Sequence, residues 1–117
     1  MLLSSAPGPV QNLDVVFSSD SLSNSYNSTS RTYNIPVRIS WQEPEYLNGE
    51  LTNYSYRLVE TGGDAVIEVT NTTDLTVVET VIVSPFTNYT ATVVAYTNAG
   101  SGDSVMQVAV SPEAGIV

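Results

Sequence analysis

Four asparagines stand in the Asn-x-Ser/Thr pattern that accepts an N-linked glycan, and proline blocks none of them. They are Asn27, Asn53, Asn71 and Asn88. Asn53 and Asn88 each precede a tyrosine that is expected to point inward, so their own side chains should face solvent, because neighbours along a strand alternate faces. Asn27 and Asn71 fall in predicted loops. All four are therefore expected to be accessible, which favours a glycosylated, extracellular chain.

Enzymatic chemistry has few residue types to work with. The chain contains no histidine and no cysteine, which removes imidazole acid–base catalysis, thiol nucleophiles, disulfides and His/Cys zinc sites together. Glu43, Glu45 and Glu50 surround one turn, but they lack the Asp-rich spacing of a calcium loop. We therefore predict no catalytic residue, no cofactor-binding residue, no cofactor and no metal site, and the domain is not expected to be an enzyme.

The charge balance restricts the class of partner. Twelve acidic residues oppose three cations and give a net charge of -9, and the cations are Arg31, Arg38 and Arg57. Binding of nucleic acid or heparin needs clustered cations that displace counterions. Three scattered arginines cannot supply such a cluster, so neither nucleic acid nor heparin is expected as a partner.

The sequence predicts short β-strands, and these strands must position any binding surface of the chain. Its 117 residues suit one domain, and Val, Thr, Ser and Tyr favour strands and turns over helices. No window carries a 3.6-residue apolar period, and no apolar run approaches the ~20 residues of a membrane span. The predicted strands are residues 10–17, 37–41, 51–60, 65–69, 75–83, 88–96 and 105–110. The parity of residues 75–83 stays open, because valines occupy both faces.

A small set of large residues is expected to form the centre of the core: Leu13, Trp41, Tyr54 and Tyr89. Trp41 is the only tryptophan and should lie at the core's centre. Tyr89 shares its parity with Ala91, Val93 and Ala95. It is either a plain core aromatic or a tyrosine corner, in which the hydroxyl returns to a main-chain group.

Several segments together resemble a fibronectin type III domain. Val83-x-Pro85-x-Thr87-x-Tyr89, followed by the strand to Ala95 and by Asn98-x-Gly100-x-Gly102, is similar to that family's E–F corner, F strand and F–G turn. The opening, the end of strand B and strand C agree through Pro9, Asn12, Leu13, Val15, Trp41, Pro44, Leu51, Tyr54 and Tyr56. The resemblance implies an all-β, immunoglobulin-like, seven-stranded antiparallel β-sandwich.

The family resemblance also suggests domain limits. Residues 1–8 are expected to be a leader or linker, residues 9–111 the domain, and residues 112–117 an exit linker. Residues 18–34 are polar and low in complexity, which predicts an A–B loop much longer than the family usually has. Such a loop is either a ligand-contacting insertion or a tolerated decoration.

The resemblance implies an extracellular module of a modular, single-pass cell-surface protein. Receptor tyrosine phosphatases, receptor tyrosine kinases and adhesion proteins use such modules as spacers and as protein-binding domains, and a parent of this kind could carry its own kinase or phosphatase domain. The isolated domain is expected to be a monomer. The alternative is a spacer domain of a secreted bacterial polysaccharide-degrading enzyme.

The outward faces of the predicted strands at residues 51–60 and 88–96, which match the family's strands C and F, offer one possible partner surface. Arg57 and Tyr96 lie there. An arginine beside an aromatic on a flat sheet face is either a protein-binding hot spot or an ordinary cross-strand pair.

Overall fold

The computed structural model describes residues 7–18, 29, 32–47 and 49–112. Within these residues the chain forms strands and no helix. The strands are β1 (Gln11–Phe17), β2 (Tyr33–Gln42), β3 (Leu51–Glu60), β4 (Ala65–Thr72), β5 (Thr76–Val83), β6 (Asn88–Thr97), β7 (Gly100–Ser101) and β8 (Val105–Val110). The sequon at Asn27 lies outside the described residues.

The strands form two antiparallel sheets that face each other. The smaller sheet has the order β1-β2-β5, and the larger has the order β4-β3-β6, with β8 and the two-residue β7 also paired to β6. Strands with one apolar face bury that face most effectively against a second sheet. The predicted immunoglobulin-like sandwich is confirmed, and β7 is a short addition to the seven predicted strands in the described residues.

The core lies between the sheets and follows the expected alternation. Every second residue of β2 and of β6 is buried. Trp41 is 3% exposed, and its ring centroid lies 5.5 Å from that of Tyr54 and 5.8 Å from that of Tyr56. Tyr54 and Tyr89 are each 1% exposed. Leu13 is only partly buried and packs at the margin of this core.

The parity of β5 is settled by its pairing with β2. Val77, Val81 and Val83 point inward, whereas Val78 and Ile82 are 65% and 61% exposed. The inward set also includes Glu79, whose carboxylate accepts a hydrogen bond of 2.7 Å from the Tyr56 hydroxyl. Apolar residues on both faces had hidden this parity in the sequence.

The predicted A–B loop, residues 18–34, extends too far. Tyr33 and Asn34 belong to β2, and Tyr33 is 1% exposed. Pro36 interrupts the strand pattern in the sequence, yet its carbonyl accepts from the Ser18 amide just past the end of β1. In a strand, the nitrogen and the carbonyl of one residue point to the same side. The nitrogen of Pro36, which carries no hydrogen, therefore points toward the end of β1.

One other expectation from the sequence is wrong in detail. The strand predicted at residues 65–69 continues to Thr72, which places Asn71 in β4 and not in a loop. An Asn-Gly pair is typical of turns with positive φ, but Gly49 is not among the positive-φ residues, and Asn48 lies outside the described residues. A Cβ at Gly49 would come 2.6 Å from Asn98 Oδ1, at the end of a side chain.

Candidate functional site on the outer face of the larger sheet

The register of β3 and β6 fixes the positions of Arg57 and Tyr96 on the outer face of the larger sheet. Arg57 is paired with Thr92, and Tyr96 is paired with Asn53. The two candidate residues are therefore not direct cross-strand partners. They stand two rows apart on one face, and the row between them is Ser55 with Val94.

A shallow groove joins the two candidate residues. Its volume is about 300 Å³, and it is bounded by residues of three neighbouring strands, Ser55, Tyr56, Arg57, Glu68, Val69, Thr70, Thr92, Val94 and Tyr96. Ser55 Oγ donates a hydrogen bond of 3.4 Å to the Tyr96 hydroxyl. The side chain of Arg57 is exposed, whereas Tyr96 is half-buried.

The lining residues of the groove are suited to recognition of a protein surface. A guanidinium provides a planar fork of donors suited to a carboxylate or to main-chain carbonyls, and a phenol supplies a rigid amphipathic contact. Glu68 on β4 lies opposite Arg57 in the register of β3 and β4 and supplies a carboxylate on that side of the groove. Among the described residues no three His, Cys, Asp or Glu side chains form a group that could hold a metal ion.

The three described sequons differ in their surroundings. Asn88 and Asn71 are exposed, on β6 and β4 respectively. Asn53 is half-buried, and its Nδ2 donates a hydrogen bond of 3.1 Å to the Thr70 carbonyl. The side chain of Asn53 is thus already engaged in the fold, unlike the solvent-facing side chain that the sequence predicted.

The turn between β5 and β6 shows what Tyr89 does. Its hydroxyl accepts the Ser84 main-chain N–H at 2.9 Å, while its ring packs edge-on against Phe17 with ring centroids 5.8 Å apart. This contact is a tyrosine corner. Burial raises the pKa of Tyr89, so the phenol stays neutral and its hydroxyl keeps its proton.

A buried serine completes the same turn. Ser111, just after β8, is 0% exposed, and its Oγ accepts the Thr87 N–H at 2.9 Å and donates to the Ser84 carbonyl. Tyr33 donates a hydrogen bond of 2.5 Å from its hydroxyl to the Pro112 carbonyl. Neither residue stands out in the sequence, because no local pattern identifies a hydroxyl whose partners lie 24 or more positions away.

The predicted leader, residues 1–8, is also partly packed into the domain. Pro7 is buried, and the Gly8 N–H donates a hydrogen bond of 2.8 Å to the Tyr46 carbonyl. Pro7, Gly8 and Pro112 thus contact the domain, although they lie outside the predicted limits 9 and 111.

Two facing antiparallel sheets with a tyrosine corner define an immunoglobulin-like β-sandwich module. The chain belongs to the fibronectin type III family: the family model for the fibronectin type III domain matches residues 24–110, well over half of the chain. Domains of this family are generally non-catalytic modules, which agrees with the recognition chemistry of the groove. No protein among the curated sequences matches the chain.

Solved structures share the fold at low sequence identity. The rat CD45 extracellular region, domains d3–d4, superposes with a TM-score of 0.67 at 18% identity, over 92% of this chain and 51% of that one. The FN5 domain of Drosophila Lar gives 0.59 at 18% identity, over 92% and 99%. Domains A168–A170 of titin give 0.60 at 20% identity, over 92% and 33%. The chain thus spans about half of the CD45 structure.

Proposed function

We propose that this chain is an extracellular fibronectin type III module of a modular, single-pass cell-surface receptor or adhesion protein, such as a receptor tyrosine phosphatase or kinase. There it acts as a spacer and contacts a partner protein in adhesion or signalling. The observation that carries the proposal is the exposure of the sequon asparagines Asn71 and Asn88 on a domain of this family. The fold likeness to the CD45 extracellular region agrees with it. Among the described residues no helix is long and apolar enough to cross a membrane.

The positions of the two ends of the domain support the proposed spacer role. Pro7 lies against Gly102, beyond the last residue of β6, whereas Pro112 lies beside the turn that precedes the first residue of β6. The ten residues of β6 span roughly 33 Å at the usual rise per residue. A chain that enters at one end and leaves at the other suits modules joined end to end.

The contact role is assigned to the groove between Arg57 and Tyr96. Arginine and tyrosine are both enriched at the energetic centres of protein interfaces. The groove is lined by polar side chains together with Val69 and Val94, and mixed polar and apolar surface is common at protein-binding sites.

The extracellular placement is tested on the full-length protein purified from its own cells. Glycopeptides covering the four sequons are mapped by mass spectrometry, before and after enzymatic removal of N-glycans. The expected result is a glycan on Asn88, on Asn71 or on both. Complete absence of carbohydrate would contradict the placement and would favour the bacterial spacer alternative.

The contact surface is tested with fluorescent multimers of the chain applied to intact cells that carry candidate partners. Arg57→Ala and Tyr96→Ala should each weaken binding by about tenfold, as the loss of an interface anchor does. Arg38→Ala is the matched control, because Arg38 is an exposed arginine on the smaller sheet. Equal binding by all three variants would show that the groove is not the contact surface.

A further inference from the structure

One edge of the larger sheet carries an uncovered apolar stripe on β8. Three side chains form it: Met106, Val108 and Val110, which are 64%, 53% and 57% exposed. They share the outer face of the strand, because alternate residues of a strand point the same way. The four steps from Met106 to Val110, at the usual rise per residue, give the stripe a length of about 13 Å. Contiguous apolar surface of this kind on a sheet edge promotes association unless something covers it.

Asn88 lies beside this stripe on the same face. The register of β6 and β8 places Asn88 directly opposite Val110. Directly opposed residues of an antiparallel pair have Cβ atoms about 5 Å apart, and the diagonal neighbour, Val108, is about 7–8 Å away. Asn88 is exposed and opens the sequon Asn88-Tyr89-Thr90. An attachment point for a glycan therefore stands at one end of the apolar stripe.

We propose that an N-linked glycan on Asn88 lies along β8 and covers the stripe of Met106, Val108 and Val110. The inference rests on the proposed extracellular function, since it needs a glycosylating secretory pathway. The attachment joins Asn88 Nδ2 to the anomeric carbon of an oligosaccharide, the amide nitrogen loses one proton, and the polyprenyl diphosphate of the donor leaves.

The chemistry of a sugar chain fits this surface. A pyranose ring presents C–H groups on its faces and hydroxyls around its rim, so a ring laid on valine removes apolar area from water while its hydroxyls stay hydrated. Among the described strands β8 pairs only with β6, and β1 lies near β8 without pairing to it, so the main-chain groups on the other side of β8 have no partner strand in the described part of the chain. A bulky hydrophilic chain there also blocks pairing with a second molecule.

The chain contains a matched control at Asn71. It is an exposed sequon residue in β4, at the opposite edge of the same sheet. Strands β3 and β6 separate β4 from β8, which places the two edges about 14 Å apart. A glycan on Asn71 starts far from the stripe and should leave it uncovered.

The test uses the chain secreted from a glycosylating eukaryotic cell line, with site occupancy mapped by mass spectrometry. Wild type, Asn88→Gln and Asn71→Gln are compared for self-association by light scattering, for fluorescence of an anilinonaphthalene sulfonate dye, and for Tm. Wild type after enzymatic glycan removal provides a sample that needs no Gln substitution. The same Asn88→Gln change is also made in a background in which Met106, Val108 and Val110 are all Thr.

Asn88→Gln and the deglycosylated wild type should bind more dye, associate more and melt about 4 °C lower, the shift expected when one aliphatic side chain loses part of its cover in a domain of this size. Asn71→Gln should match wild type, and in the threonine background Asn88→Gln should have no effect. An occupied Asn88 whose removal changes nothing would overturn the inference. A glycan on Asn71 together with an unglycosylated Asn88 would also overturn the inference, but it would leave the extracellular placement intact. Absence of carbohydrate from every site would overturn both.

Discussion

The two ends of this sandwich are held together in different ways. At the C-terminal pole, which comprises Tyr33, residues 84–87, Tyr89, Ser111 and Pro112, side-chain hydroxyls bind main-chain groups. At the N-terminal pole, which comprises Pro7, Gly8, Gly49, Asn98 and Gly102, the chain segments approach each other closely and join mainly through main-chain hydrogen bonds.

This difference sets how each pole responds to substitution. A hydroxyl that pairs with a buried amide is destabilising to remove, because the amide is left without a partner. Where a glycine allows two chain segments to approach closely, there is no side-chain group whose removal would matter. Addition of one methyl group at the glycine, however, forces the neighbouring segment to move. The C-terminal pole should therefore be sensitive to deletions and the N-terminal pole to additions.

The largest effect is expected from high pH, which acts on the C-terminal pole through Tyr33 and Tyr89 and on the core through Tyr54 and Tyr56. Burial raises the pKa of all four phenols above that of tyrosine in the unfolded chain, which ionises near pH 10. The contribution of the neutral phenols to stability is therefore fully present below about pH 10 and is lost as the pH rises further. Unfolding followed by circular dichroism between pH 8 and 12 checks this. A stability that does not fall above pH 10 would contradict it.

The double variant Tyr89→Phe/Ser111→Ala should lower the free energy of unfolding by about 2–5 kcal/mol, because the amides of Ser84 and Thr87 each lose an acceptor. The two single losses should not add, since both hydroxyls bind main-chain groups of Ser84. Urea unfolding of the four-member cycle measures the coupling. Tyr46→Phe, at a side chain that is 65% exposed, should stay within about 0.5 kcal/mol of wild type.

At the N-terminal pole, Gly102→Ala should destabilise the domain by about 1–3 kcal/mol. A Cβ at this position would come 2.5 Å from the Pro7 carbonyl oxygen and 3.1 Å from that of Gly8, so the segment before β1 must move. Hydrogen exchange should accelerate at the Gly8 amide, which binds Tyr46, but not at the amide of Ala91 in the core. Unchanged protection at Gly8 would show that the close approach is not a constraint.

A substitution to Asn should relieve strain at the C-terminal pole. Phe86 has a φ of 54° and is 71% exposed, and its amide donates to the Ser111 carbonyl at 3.0 Å. A left-handed backbone is unfavourable for a bulky residue and is better tolerated by asparagine. Phe86→Asn should therefore raise the free energy of unfolding by about 1 kcal/mol. A decrease, measured by urea unfolding, would show that the Phe86 side chain itself stabilises the turn.

The smallest effect is expected from Gly49→Ala, at less than about 1 kcal/mol. The added Cβ would meet Asn98 Oδ1 at 2.6 Å, but this atom ends a side chain that can rotate away, at the expense of its weak 3.3 Å bond to the Glu50 amide. A loss as large as that of Gly102→Ala would mean that Asn98 is as rigid as the main chain at Pro7.

The strands could be predicted wherever burial is one-sided. The inward residues of β6, and Tyr54, Tyr56 and Leu58 of β3, follow from alternation, because one face of each strand meets the core and the other meets water or a shallow groove. The parity of β5 stayed open because apolar residues occupy both of its faces, and the start of β2 was placed too late, at residue 37 instead of Tyr33. The sites on the outer face were only partly predictable, since the register, and not the spacing along one strand, decides which residues meet.

The sequence by itself determined an all-β sandwich of the fibronectin type III family with Trp41, Tyr54 and Tyr89 at its core, because those features depend on patterns within a few residues of one another. Only the tertiary structure decided that Ser111 and Tyr33 fasten the C-terminal pole, that Arg57 and Tyr96 lie at two ends of one groove, and that Asn88 stands opposite Val110. Each of these contacts joins segments that are far apart in the sequence. They depend on the register and direction of neighbouring strands, which cannot be read from one segment alone.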